Sequence, residues 1–259
     1  MTYQDLLLER EDGIATITLN KPDKLNAMSW TTWRELRESV AECDADDDVK
    51  VIIVTGAGRG FSSGTDLTAA SQDEIPSRRE TMRSGYLSAV SLIHSAKPTI
   101  AAVNGIAAGA GLSIALACDI RIGAASSRYS AIFVKRALSA DFGCSYLLPR
   151  VVGMSNAMRL MYTGDIIDAQ EALRIGLLSE VVPDEALIQR ARELSLPIAH
   201  GPSIAIEATK RLVYRQIEAE IDAHVEYEEY LQRLTHQSED ALEGRMSFLE
   251  KREPRFHGR

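Results

Sequence analysis

Short apolar runs alternate with segments of helical periodicity along this chain, and this alternation restricts its fold more than any other feature. The runs "VKVIIVT", "PTIAAV" and "DIRIGA" are typical of buried strands, while residues 30–43, 78–94 and 110–117 have the pattern of helices. Strands that alternate with helices are joined by crossover connections. We therefore expect an α/β fold with a largely parallel sheet.

Local signals place several element boundaries. The Asp12-Gly13 pair within "DLLLEREDGIATITLN" predicts a tight hairpin between two strands. Ser29 predicts a helix start, and one apolar stripe follows it at helical spacing, formed by Trp33, Leu36, Val40 and Cys43. Asp168 and Glu171 match a capping box, and "LLSEVVP" predicts another short strand.

Composition excludes several classes of protein. The chain has 259 residues with 37 acidic and 29 basic side chains, and its net charge of -8 argues against a general nucleic-acid binder. Cys43, Cys118 and Cys144 lack CxxC spacing, so neither a disulfide framework nor a zinc site is indicated. The acidic start "MTYQDLLLERED" has no secretory pattern, and we expect a reduced, cytoplasmic setting.

The uncharged stretch from Pro98 to Cys118 is long enough to be compared with a membrane span. Pro98, Asn104 and three glycines divide it into a β-branched run and a run of Ala, Leu and Ile. This residue pattern favours a buried strand, a turn and a buried helix. We therefore predict no membrane partner.

The glycine-rich stretch "GAGRGFSSGTDL" allows three interpretations. Gly56, Gly58 and Gly60 follow a strand, but their GxGxG spacing differs from the GxGxxG of dinucleotide sites, and the next strand is not in place. Ser62 in "GFSSG" matches a nucleophile elbow, although that motif needs a strand that runs directly into the serine turn. The "GAGRG" loop intervenes here.

The third interpretation pairs this stretch with a second glycine loop, in "NGIAAGAGLSIALACD". Gly109 to Gly111 fall at the expected amino end of an apolar helix, where backbone amides are unpaired and carry the positive end of the helix dipole. Two such loops can each aim one N–H at a carbonyl oxygen and stabilise an enolate. The alternative is that both are only tight connections.

These two stretches, "GAGRGFSSGTDL" and "KPTIAAVNGIAAGAGLSIALACDIRI", closely resemble the crotonase superfamily of enoyl-CoA hydratases and isomerases. "LNKPDKLNAMS", the segment from "LLPRVVGMSNAM" to "GLLSEVVP", and "FLEKREPRF" extend the resemblance over most of the chain. It implies a spiral of repeated ββα units over residues 1–195. A helical region over residues 196–259 is then used for trimerisation, and trimers often pair into hexamers.

The resemblance also implies roles for individual residues. The oxyanion-hole amides map onto Thr65 and Ala110. Lys251 matches a carboxy-terminal lysine that reaches the phosphate of a CoA bound to a neighbouring subunit. The other expected contacts of the acyl-CoA substrate are Lys24, Leu25, Ala27, Ser63, Asp66, Leu67, Gly109 and Phe133. No metal or separate cofactor is implied, because coenzyme A enters as part of the substrate.

The departures from the family pattern narrow the set of reactions that we expect this chain to catalyse. Hydratases of the family hold a water between two glutamates, and those positions here are Ser113 and Phe133. Neither side chain is a carboxylate base, so two-glutamate hydration is disfavoured. Asp141 falls in the loop where family isomerases carry a proton-transferring acid, and the same loop holds the nucleophilic aspartate of a dehalogenase.

Several functions therefore stay open from the sequence. Double-bond isomerisation with Asp141 as acid and base is the main prediction. The alternatives are an enoyl-CoA hydratase in the broad sense, a dehalogenase or hydrolase with Asp141 as nucleophile, and a silent acyl-CoA binder. Asp141 is also open to a purely structural interpretation, as an exposed loop residue or a cap before "CSYLL".

Overall fold

The computed structural model describes residues 2–66 and 78–257, with side chains omitted at 78–84, 215–220, 222 and 234. The described chain begins with an antiparallel hairpin of β1 (Leu6–Glu11) and β2 (Ile14–Leu19). Asp12 and Gly13 connect these strands with φ angles of 53° and 76°. Positive φ at both loop residues fits the twist of a two-residue hairpin, as the Asp-Gly pair predicts.

The first helix, α1 (Trp30–Ala45), begins where the sequence predicts. Ser29 accepts a hydrogen bond from the Thr32 amide, and the Thr32 side chain accepts one from the Ser29 amide. This reciprocal pair is a capping box. The predicted apolar stripe of Trp33, Leu36, Val40 and Cys43 is buried along the helix.

Strands and helices then alternate, as predicted. The strands are β3 (Val51–Gly56), β4 (Gly60–Ser62), β5 (Thr99–Val103), β6 (Ile106–Ala108), β7 (Ile120–Ala124), β8 (Arg128–Ser130), β9 (Ile167–Asp168) and β10 (Glu180–Val182). The helices are α2 (Arg78–His94), α3 (Ala110–Ala117), α4 (Cys144–Val152), α5 (Met154–Thr163), α6 (Ala169–Arg174), α7 (Leu187–Ala199), α8 (Ser203–His236) and α9 (Glu239–Leu249). Short 3₁₀ turns at 22–24, 132–136 and 184–186 connect some of them.

The strands form two sheets built from repeated strand–strand–helix units. One sheet has the order β1-β2-β3-β5-β7-β10 and the other has the order β4-β6-β8-β9. In each of the pairs β3/β4, β5/β6 and β7/β8, the first strand joins the larger sheet and the second joins the smaller one. Pairing is parallel from β2 through β10 in the larger sheet, which confirms the predicted parallel organisation.

The core lies on both faces of the larger sheet. Alternate residues of β3 face opposite sides: Ile52 and Val54 pack with α1, α2 and α3, while Val51 and Ile53 pack with α7. Strands buried on both faces explain why "VIIVT" is a continuous apolar run. Among the described residues, no helix is both long and apolar enough to cross a membrane.

Helical structure dominates the carboxy-terminal part of the chain. The expected core boundary at residue 195 lies within α7, and the chain leaves that helix at residues 200–202 before α8 begins. Lys210 on α8 is buried and donates to the carbonyl oxygens of Leu92 at 3.0 Å and Lys97 at 2.9 Å. These bonds attach α8 to the end of α2 and the segment before β5.

Candidate active site

The loop after β4 turns at Gly64, which has a φ of 100°. The Met28 amide donates to the Gly64 carbonyl oxygen at 2.8 Å, and the Asp66 amide donates to the Met28 carbonyl oxygen at 2.9 Å. Thr65 lies between these two bonds and forms an isolated parallel bridge with Met28. Because alternate peptide groups of an extended chain point to opposite sides, the N–H of Thr65 points away from Met28.

The second loop ends at Ala110, the first residue of α3. Gly109 caps this helix with φ 52° and ψ −124°, a conformation that favours glycine. The first amides of a helix have no acceptor within the helix, so the Ala110 N–H is left for another partner. A Cβ placed on Gly64 would lie 3.5 Å from the Ala110 nitrogen, so the two loops are in contact.

Close packing of β4 against α3 sets the separation of the two loops. A Cβ on Gly111 would overlap the carbonyl oxygen of Ser62 and would lie 2.8 Å from the Ser62 Cβ. Glycine at position 111 therefore lets the helix approach the strand. The structure thus brings the Thr65 loop and the Ala110 amide together, as an oxyanion hole requires.

Ser62 is a structural residue of the first loop. Its hydroxyl group is buried, donates to the Asn26 carbonyl oxygen at 2.8 Å and accepts from the Gly64 amide at 3.2 Å. A serine nucleophile requires a general base within hydrogen-bond reach. Here the hydroxyl group is bonded to main-chain atoms instead, and it holds Gly64 in place.

Two asparagines that are not among the predicted site residues hold the glycine-rich stretch. The Asn26 amide nitrogen donates to the carbonyl oxygens of Ala57 at 2.9 Å and Gly60 at 2.7 Å. The Asn104 amide nitrogen donates to those of Gly56 at 2.8 Å and Gly58 at 2.9 Å. These bonds satisfy carbonyl groups of a loop that has no regular ladder of its own.

The segment expected to contact the acyl-CoA lies beside the first loop. Lys24 is exposed, and its Nζ lies 2.8 Å from Oδ2 of the buried Asp66. Leu25 has a φ of 51°, and its carbonyl oxygen accepts from the Ser63 amide at 2.9 Å. Ala27 follows within the same turn, since its amide donates to the Lys24 carbonyl oxygen at 3.1 Å. Leu67 lies outside the described residues.

Ser113 and Phe133 occupy the positions at which the sequence resemblance places the two glutamates of family hydratases. Ser113 is buried, and its Oγ lies 3.3 Å from the Gly109 carbonyl oxygen and 3.1 Å from that of Asp141. Its hydroxyl group therefore joins the second glycine loop to the loop of the candidate acid. Phe133 is buried, and its Cε1 would lie 3.9 Å from a Cβ on Gly109.

Asp141 carries a buried carboxyl group. Its Oδ2 accepts a 2.7 Å hydrogen bond from Nε2 of Gln232, while its Oδ1 is buried and has no hydrogen-bond partner among the described residues. Burial raises the pKa of Asp141 well above its usual value, and the nearby charge of Glu228 raises that pKa further. The hydrogen bond from Gln232 acts in the opposite direction.

The surroundings of Asp141 exclude the interpretation as a helix cap. Gly143 is the N-cap residue of α4, and the Ser145 amide in the first turn donates to the carboxylate of Glu228 at 3.1 Å, not to the side chain of Asp141. The neighbouring cation Arg136 lies with its guanidinium 4.4 Å from the centre of the Phe248 ring. The pKa of Asp141 is accordingly governed by burial and Glu228.

Glu228 and Gln232 are site residues that the sequence reasoning missed. Both are buried on α8, where they continue the apolar positions Ile221 and Val225 at helical spacing. Polar residues within an otherwise apolar stripe were the available signal, since buried polar side chains need partners. Lys251 is exposed just after α9, with a φ of 55°.

Comparison with known proteins identifies the family. The sequence model of the enoyl-CoA hydratase/isomerase family matches residues 9–259. The chain belongs to this family. It is 36% identical over 258 residues to a 1,2-epoxyphenylacetyl-CoA isomerase of Escherichia coli (strain K12), with 98% of each chain covered.

Solved structures of the family share the fold. A carnitinyl-CoA hydratase from Mycobacterium avium aligns with a TM-score of 0.90 and 34% identity, covering all of both chains. A monofunctional enoyl CoA isomerase from M. smegmatis aligns with a TM-score of 0.72 and 38% identity, covering 83% of this chain and 94% of the other. The resemblance to the crotonase superfamily is thereby confirmed, and the protein is an enzyme of that superfamily.

Proposed function

We propose that this enzyme shifts a double bond of an acyl-CoA thioester by moving a proton between carbons near the thioester. The amides of Thr65 and Ala110 hold the oxygen of the enolate, and Asp141 removes and returns the proton. The carrying observation is the buried carboxyl group of Asp141, whose Oδ1 has no partner among the described residues, on a loop bonded through Ser113 to Gly109.

The chemistry needs one group that exchanges a proton with carbon and a pair of donors that stabilise negative charge on oxygen. A carboxyl group with a raised pKa suits the first role, because acid and base catalysis is most effective when the pKa approaches the working pH. Burial and Glu228 move the pKa of Asp141 in that direction. Two backbone amides suit the second role, since their position does not depend on the side chain.

The same residues disfavour hydration, whereas nucleophilic catalysis by Asp141 is separated from the proposed reaction by its products. Hydration by two carboxylates lacks both carboxylates, since Ser113 and Phe133 occupy their places. Nucleophilic attack by Asp141 requires the same ionised carboxylate as proton removal, so the raised pKa does not separate these two reactions, but their products do. The names of the relatives include both hydratases and isomerases, so they support chemistry on an enoyl-CoA in general. The choice between the two reactions rests on the site residues.

The acyl-CoA itself is part of this proposal. Lys24 and Asp66, with Leu25, Ala27 and Ser63, form the border of the first loop where the CoA portion is expected. Lys251 is expected to serve a neighbouring subunit, so a homotrimer or a hexamer is part of the same proposal. The cytoplasmic setting stays a prediction from the sequence.

Deuterium uptake from heavy water tests the proposal. Saturated, 2-enoyl- and 3-enoyl-CoA substrates are incubated with the wild-type enzyme, and NMR follows exchange at the carbons near the thioester. We expect exchange that falls by about 100-fold or more in Asp141→Asn, the size of a general acid–base contribution. Asp165→Asn, at an exposed position, is the matched control.

Binding measurements make the outcome decisive. The dissociation constants of the same acyl-CoA compounds are measured for wild type and Asp141→Asn by calorimetry. Binding without exchange in the wild type would overturn the isomerase proposal and favour a silent binder. Release of a hydrolysed or substituted acyl product that depends on Asp141 would favour the nucleophilic alternative.

A further inference from the structure

The amide group of Gln232 connects α8 to the candidate acid. Gln232 is 1% exposed, and its Nε2 donates to Oδ2 of Asp141 at 2.7 Å. On the other side of the amide, Oε1 accepts from the hydroxyl groups of Ser139 at 3.2 Å and Thr235 at 3.2 Å. These contacts orient the N–H toward Asp141, and burial restricts the side chain to this arrangement.

The main chain of the Asp141 loop is held by the same helix. Glu228 is 4% exposed, and its carboxylate accepts from the amides of Gly143 at 2.8 Å and Ser145 at 3.1 Å, and also from the Ser145 hydroxyl group. Phe142, within this loop, has a φ of 53°, which is unfavourable for a residue other than glycine. The hydrogen bonds that Gly143 and Ser145 donate to Glu228 help to hold this backbone.

The two carboxyl oxygens of Asp141 are consequently unequal. Oδ2 is bonded to Gln232, whereas Oδ1 is buried without a partner among the described residues. An unpaired buried polar atom costs about 1–3 kcal/mol, so it is retained where it serves a purpose. Oδ1 is therefore the carboxyl oxygen that no described residue occupies, and in the proposed function it is the oxygen that exchanges the proton.

We propose that Gln232 is a positioning residue for Asp141, because its amide fixes Oδ2 and thereby directs Oδ1 toward the reacting carbon. This inference rests on the proposed function of Asp141 and gives α8 a role in the chemistry. Gln232 acts through Asp141 and makes no contact with substrate in this proposal. Correct alignment of a reacting group matters because a misplacement of about 1 Å costs about 100-fold in rate.

The hydrogen bond has an electrostatic consequence that distinguishes positioning from simple packing. The bond from Gln232 lowers the pKa of Asp141, against the larger effects of burial and Glu228. The titratable groups around Asp141 in the described part of the chain are Glu228, with His224 3.6 Å from its carboxylate, and the thiol group of Cys144. Loss of the Gln232 donor is expected to raise the pKa of Asp141.

Gln232→Met tests the role by removing the donor while retaining a long side chain that favours helix. We expect its exchange rate to fall by about tenfold to a hundredfold at unchanged acyl-CoA affinity. The limb of the pH–rate profile that reports ionisation of Asp141 moves to higher pH. Gln189→Met, on the exposed surface of α7, is the matched control.

Infrared titration supplies a readout that does not require turnover. The band of a protonated carboxyl group that disappears in Asp141→Asn identifies Asp141, and its midpoint is compared between wild type and Gln232→Met. We expect a higher midpoint in the variant. If Gln232→Met does not fold, Ser139→Ala removes one donor to the Gln232 oxygen, and we expect a smaller change in the same direction.

The two readouts separate the inference from the proposed function. A wild-type enzyme that binds acyl-CoA without exchange overturns the proposed reaction. A folded Gln232→Met protein with the wild-type midpoint and the wild-type pH–rate profile overturns the role of Gln232. A lower exchange rate with an unchanged midpoint also overturns it, because packing alone then accounts for the loss.

Discussion

Oγ of Ser113 lies 3.1 Å from the carbonyl oxygen of Asp141, so a residue in the first turns of α3 holds the loop of the candidate acid. The same hydroxyl group lies 3.3 Å from the Gly109 carbonyl oxygen, on the loop that presents the Ala110 amide. The position at which the sequence resemblance expects a hydratase glutamate thus carries a serine that joins the two halves of the candidate site.

Ser113→Ala is expected to have a moderate effect. Both carbonyl groups keep another partner, since the Ser113 amide donates to Gly109 and the Cys144 amide donates to Asp141. The loss is therefore that of a single hydrogen bond, about 1 kcal/mol of unfolding free energy. Urea unfolding and the exchange assay measure the result. A loss of exchange equal to that of Asp141→Asn, without loss of stability, would instead place the hydroxyl group in the chemistry.

Gly111→Ala is expected to separate β4 from α3. The added Cβ would overlap the Ser62 carbonyl oxygen, so strand or helix has to shift, at a cost of about 1–3 kcal/mol. Exchange is expected to fall as well, because the Thr65 and Ala110 amides of the proposed oxyanion hole move apart. Gly60→Ala is the matched control, since its Cβ would meet Ile106 and Leu25 at ordinary distances of 3.4 Å. Equal stability of the two variants in thermal unfolding would contradict this packing argument.

The sequence predicts the parts of the fold that rest on local pattern. The runs that become β3 and β5 are apolar on both faces, and Ser29 and Asp168 are caps that each serve their own helix. The capping box at Asp168 forms in one direction: its carboxylate accepts from the Glu171 amide, while the Glu171 side chain pairs with Arg174. The strands β4, β6 and β8 have three residues each, too few to produce a detectable period.

The candidate site likewise has parts that the local sequence predicts and parts that it does not. The two glycine loops are visible in the sequence because each needs special backbone conformations close to one strand end. The bond between Gln232 and Asp141 joins residues 91 positions apart, and that between Glu228 and Gly143 joins residues 85 apart. Such partners depend on how α8 packs against the core, which the local pattern does not contain.

Ser62→Ala distinguishes the oxyanion interpretation from a serine nucleophile. The hydroxyl group bonds to the Asn26 carbonyl oxygen and the Gly64 amide, so its loss leaves two buried main-chain groups without this partner and is expected to lower the unfolding free energy by about 1–3 kcal/mol. Exchange is expected to remain far above that of Asp141→Asn, since the Thr65 amide is still present. Exchange and urea unfolding are measured together. Complete loss of turnover in a fully stable variant would instead support Ser62 as a nucleophile.

Asp141 is expected to make the protein less stable as the pH rises. Its pKa in the folded state lies well above the usual value, so folding takes up a proton at any pH between about 4 and the folded pKa. Stability is therefore lost progressively over that range as the pH increases. An asparagine at this position has no such titration and can still accept the hydrogen bond from Gln232.

The unfolding free energy of Asp141→Asn relative to wild type is accordingly expected to rise with pH, starting near pH 4. Urea unfolding of both proteins across a pH series measures this difference, in which the titration of distant groups cancels. Asp165→Asn provides the reference for an exposed aspartate. A difference that falls as the pH rises would mean that Asp141 is stabilised as an anion in the fold, and the proton-transfer role would then lose its electrostatic basis.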